Sequence, residues 1–94
     1  MLNTDGEDSF LQHALALEFI KEGKDTEARD LFETILKREP GYSGSYYHLG
    51  KLLERLQENN LAMQWYVKGM AVCKESNDRH TYNELQAALE DVTD

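Results

Sequence analysis

The residues of this 94-residue chain that could do chemistry are three histidines, one cysteine and 18 carboxylates. Histidine and cysteine bind metals or act as bases and nucleophiles only where spacing or fold brings partners together. His13, His48 and His80 stand in no HExxH or CxxC pattern, and Cys73 has no evident orienting group. The six glycines are dispersed and form no phosphate-cradling loop. His13 and His80 facing one groove is the single metal or pH-switch arrangement the spacing permits. The sequence therefore predicts no catalytic residue, no metal site, no cofactor and no enzyme, and the function must be sought in shape.

The elements that would position these residues follow from a repeat. Residues 9–42 laid over residues 43–76, an offset of 34, bring Leu15 onto Leu49, Ala16 onto Gly50 and Phe19 onto Leu53. In the second half of the unit Ala28 falls on Ala62, Phe32 on Tyr66 and Leu36 on Met70. Gln12, Leu15, Ala16 and Phe19, like Tyr46, Leu49, Gly50 and Leu53, share one helix face at i, i+3, i+4, i+7. The pattern predicts five helices, at about 9–22, 26–38, 44–57, 61–75 and 79–91. Ser9 with Gln12 reads as a capping box, and Asp25, Ser43, Asn60 and Asp78 as further N-caps. Gly50 and Gly69 inside helices imply close packing, because helical glycine costs roughly 1 kcal/mol against alanine. Residues 1–8 are expected to be flexible, with one domain over 9–92.

Composition narrows the partners. A net charge of −8 argues against nucleic acid, which needs a basic stripe, and against anionic membranes. The acidity favours solubility, would suit a cytoplasm of high salt and would steer basic partners. No stretch resembles a signal peptide or a membrane span, and a lone cysteine forms no internal disulfide; a reducing cytoplasm fits.

The repeat resembles the tetratricopeptide repeat. The first copy carries Leu15, Ala16, Phe19, Gly23, Ala28, Phe32 and Pro40; the second carries Tyr46, Leu49, Gly50, Leu53, Ala62, Tyr66 and Gly69. Gln12 and Ile35 depart from the family pattern in the first copy, Gln57 and Lys74 in the second. The resemblance covers 68 of 94 residues and implies an all-α right-handed superhelix. Repeat 1 would span 9–42, repeat 2 43–76 and a C-terminal capping helix 77–94. A third repeat in strict register fits poorly. A shift of two residues aligns Tyr82, Leu85, Gln86 and Leu89, with Val92 continuing the stripe. The alternative is the first half of a truncated third repeat. Two repeats are fewer than the about three that usually make a stable array, so the cap, a second copy or further chain must supply core.

The resemblance also implies a function: a protein-interaction scaffold whose first helices line a concave groove for a peptide or partner helix. By repeat position that groove would present Phe10, His13, Leu17 and Lys21, then Tyr47, Lys51, Glu54 and Arg55, then His80, Asn83 and Ala87. Tyr47 and Leu17 would make apolar contacts, Lys51 and Arg55 charge contacts. Lys21, Lys51 and Arg55 on one face could receive a carboxylate. The family branch that clamps chaperone C-terminal carboxylates is not matched: its five positions read His13, Leu17, His48, His80 and Glu84 here. Trp65, with Met63 and Leu61, is either core or an apolar patch. The competing reading is self-association, as a homodimer or one segment of a longer array.

Overall fold

A computed structural model of the chain describes residues 8–93. The expected flexible segment lies outside them except for Asp8. The described residues form five helices and no strand: α1 Ser9–Lys21, α2 Asp25–Arg38, α3 Gly44–Arg55, α4 Asn59–Ser76 and α5 Arg79–Thr93. Each helix packs on the next in sequence, and α5 also reaches α3. The all-α architecture expected from the repeat is the one observed, with helix ends within two residues.

The turns repeat with the sequence. Gly23 and Gln57, one period apart, both adopt left-handed backbone, at φ 78° and 66°. After each, an amide bonds back across the helix end: Lys24 N–H to Phe19 O and Glu58 N–H to Leu53 O, both 2.8 Å. The turn survives the loss of its glycine because these bonds hold it. A side chain in that conformation costs roughly 1–2 kcal/mol. Asn77 (φ 60°) closes α4 in the same way.

Capping differs from expectation at several ends. Asp8, not Ser9, caps α1, accepting from Leu11 N–H at 3.2 Å. Ser9 is drawn to the end of α2, where its hydroxyl donates to Glu39 (2.7 Å) and accepts from Arg38 (2.9 Å). Arg38 also donates to Gln12, so no Ser9–Gln12 box forms. Asp25 is the first residue of α2, and Asn60 the second of α4, where Glu58 occupies the cap without a side-chain bond. Ser43 does precede α3, but its hydroxyl donates to Asp78 Oδ2 at 3.1 Å. Asp78 caps α5 as expected, accepting from Thr81 N–H at 3.1 Å.

The core runs through all five helices. Ala16, Ala28, Phe32, Leu49, Leu53, Ala62, Tyr66 and Leu85 are completely buried. An added Cβ at Gly50 would lie 2.1 Å from Tyr66 Cε1, and one at Gly69 2.7 Å from Tyr46 Cβ, so both glycines mark contacts closer than alanine allows. Leu15 breaks the repeat: it is 47% exposed, whereas Leu49 is 0%. Leu49 is covered by the preceding helix pair, and among the described residues no pair precedes α1. Leu11, one turn earlier, is likewise exposed.

Candidate functional site

The side chains expected to line the groove start on α1 and α3, and His48 joins them. His13 from α1 meets His48 from α3 edge-on, ring centroids 5.3 Å apart. His48 in turn contacts Tyr47 at 5.6 Å, and the ammonium of Lys51 lies 5.8 Å above the Tyr47 ring. A row of His13, His48, Tyr47 and Lys51 therefore crosses from one helix to the other. The buried Phe32 ring supports it from beneath, edge-on to His13 at 5.5 Å and stacked on His48 at 6.2 Å. Ser45, fully buried, fixes the His13 ring through a 2.8 Å hydrogen bond to Nδ1.

Burial disfavours the charged form of both rings. Burial lowers the His13 pKa, and the neighbouring His48 lowers it further. Burial also lowers that of His48, against a smaller opposing pull from Glu84 on α5. A histidine held neutral by the fold binds its proton more readily once unfolded. Stability is thus full above the ordinary value of 6.5 and falls as pH drops through it toward the folded values. Asp78, with its pKa lowered chiefly by its bonds to Thr81, acts in a separate window below its ordinary 3.8. Thermal melts should therefore weaken progressively between about pH 7 and pH 5. In His13→Gln/His48→Asn the slope over that range should be much flatter; an unchanged slope would place its origin elsewhere.

The other expected residues are distributed unevenly. Leu17 is half-buried against the core and Phe10 is 67% exposed. Every groove cation has an internal carboxylate: Lys21 with Glu18 at 3.3 Å, Lys51 with Glu54 at 4.0 Å, Arg55 with Asp25 at 2.6 Å. Glu54 also accepts the Tyr66 hydroxyl, which burial and that carboxylate keep protonated. Asn83 lines a cavity of about 330 Å³ at the α4–α5 turn with Cys73, Lys74 and Tyr82. On α5 it is Glu84 whose charge reaches His48, and His80 Nε2 lies 3.3 Å from Glu84 Oε2. The centre of the row, His48, was read from the sequence only as an unmatched clamp position and not as a groove contact. Its adjacency to Tyr47 was visible, but its contact with His13 depends on how α1 and α3 sit. No group of three or more metal-binding side chains is assembled among the described residues, and no described helix is long and apolar enough to cross a membrane.

Two solved structures from Salinibacter ruber, both of a tetratricopeptide repeat domain protein, superimpose on this fold. The crystal structure has a TM-score of 0.88 and 39% identity, covering 93% of this chain and 97% of that one. The chain belongs to the tetratricopeptide-repeat family. The solution structure agrees, with a TM-score of 0.90 and 40% identity over 94% of this chain and 89% of that one. No protein-family model and no curated protein matches the chain. Tetratricopeptide-repeat domains are, as a class, protein-interaction modules, and that general statement extends to this one.

Proposed function

We propose that this tetratricopeptide-repeat domain docks a peptide or partner helix on the face made by α1, α3 and α5, without catalysis. The observation that carries the reading is the His13–His48–Tyr47 row, a set of rings held in place by Phe32 and Ser45 but only partly covered. Rings fixed from beneath lose little entropy on binding, which is what an anchor for another chain requires. The paired cations contribute less selectivity. Exposed ion pairs are worth about 0–1 kcal/mol, so Lys51 and Arg55 can exchange partners at small cost but do not attract a carboxylate by default. Cytoplasmic residence remains part of the proposal.

Affinity capture from the native host with wild-type and Tyr47→Ala baits tests it. Proteins retained by the wild type should be lost from Tyr47→Ala, and weakened with Lys51→Glu; the same proteins on all three baits would sink the reading. Self-association is favoured by a separate observation, the exposed Leu11 and Leu15 on α1. Sedimentation of the wild-type bait at several concentrations separates the two: a monomer throughout removes the second.

A further inference from the structure

A second groove shares no residue with the histidine row. It lies between α2 and α4, encloses about 540 Å³, and has Leu36, Pro40, Tyr46, Trp65 and Val72 in its wall. Tyr46 is fixed by donating its hydroxyl to Pro40 O at 2.6 Å, and the half-buried Trp65 ring packs on it with centroids 6.0 Å apart. The Trp65 indole N–H has no hydrogen-bond partner among the described residues. Two lysines stand at the rim. Lys68 rests over the Trp65 ring at 4.9 Å, and Lys37 is exposed.

Charge distinguishes this groove from the histidine face. There, every lysine and arginine expected to meet a partner is already paired with a carboxylate. Here neither Lys37 nor Lys68 has one within ion-pair distance among the described residues. The one carboxylate in the wall, Glu33, is engaged by Arg29 at 3.4 Å. In a chain of net charge −8, two unneutralised lysines flanking an aromatic floor form a local exception. An apolar anchor ringed by ammonium groups is complementary to an apolar side chain ringed by carboxylates.

We propose that the α2–α4 groove is a second docking surface, for an acidic segment that seats an apolar side chain against Trp65 between Lys37 and Lys68. The domain would then hold two partners on two separate surfaces. Trp65 is the only tryptophan, so its emission reports this groove alone.

The probe is a short fluorescein-labelled peptide with leucine and phenylalanine on one helical face and glutamate elsewhere, compared with its counterpart carrying lysine for every glutamate. The acidic peptide should bind saturably, more weakly as salt rises, and should shift Trp65 emission; the basic one should not bind. Lys37→Glu/Lys68→Glu, with unchanged circular dichroism, should weaken binding about tenfold or more, as loss of two charge-assisted contacts implies. Tyr47→Ala should leave it within about twofold, since that ring belongs to the other face. Equal binding of both peptides, indifference to the lysine reversals, or loss in Tyr47→Ala alone would overturn the proposal. Self-association abolished by Lys68→Glu would also overturn it, by making a second copy the occupant.

Discussion

Gly50→Ala should lower the melting temperature by about 8–16 °C, although alanine is the better helix former. The added methyl would fall 2.1 Å from Tyr66 Cε1, 2.6 Å from Cζ and 2.7 Å from Cδ1, so it meets a ring face-on rather than a flexible tip. That ring has nowhere to go, being completely buried with its hydroxyl engaged by Glu54. Helix axes α3 and α4 must therefore separate. Overpacking of this kind costs about 1–3 kcal/mol or more, against roughly 1 kcal/mol regained from helix propensity. A buried, tethered ring puts this site at the upper end of that range, a net loss of about 2 kcal/mol in a domain whose total stability is of order 5–15. Gly41→Ala is the control, since nothing lies within 4 Å of its added Cβ. Its melting point should be nearly that of the wild type, and thermal melts of the two variants check both statements.

The second large effect joins stability to the histidine row. Phe32 is fully buried beneath His13 and His48, so Phe32→Ala should cost about 3–5 kcal/mol through lost burial and the remaining cavity. Denaturant unfolding measures this. In the cold, where the variant stays folded, both histidines should titrate closer to the ordinary 6.5, because water entering the cavity relieves the burial that holds them down. Histidine ring NMR reads the change directly. Destabilisation without any movement of the two titrations would mean that Phe32 supports the helices but not the row.

Much of the fold was legible because packing in a repeat is periodic. The offset of Ala16 onto Gly50 and Phe32 onto Tyr66 located the close contacts before any coordinates, and Gly50 and Gly69 prove to be the positions where a methyl does not fit. Local signals were less dependable. Ser9 looked like a cap but bonds to Glu39 across the α1–α2 interface, a partner thirty residues away that no local motif encodes. Leu15 carries the repeat pattern yet lies open, since burial depends on a neighbour and not on the residue.

The candidate site was legible only as a face. Repeat position indicates which way a side chain leaves its helix, and on that basis His13, Tyr47 and Lys51 could be grouped. It does not give the gap between α1 and α3, which decides that His13 reaches His48 and Ser45. Nor does it reveal that Arg55 is neutralised by Asp25, thirty residues away at the start of α2, whereas the pairs of Lys21 with Glu18 and Lys51 with Glu54 follow from i,i+3 helix spacing. Trp65 fell between the two expectations for it: packed on Tyr46 on one side, open to a groove on the other.

Packing in strict succession, α1 on α2 through to α4 on α5, also bears on how quickly the chain finds its form. No helix waits for a distant segment to arrive; α3 with α5 is the longest-range pairing between elements. Chains built from such near-neighbour contacts close only short loops and fold in about microseconds to milliseconds. Unfolding can start at either end and stop at α3, the helix that touches all the others. The middle of the molecule is thereby its kinetic anchor, and the proposed docking row keeps His48, Tyr47 and Lys51 on that anchored helix.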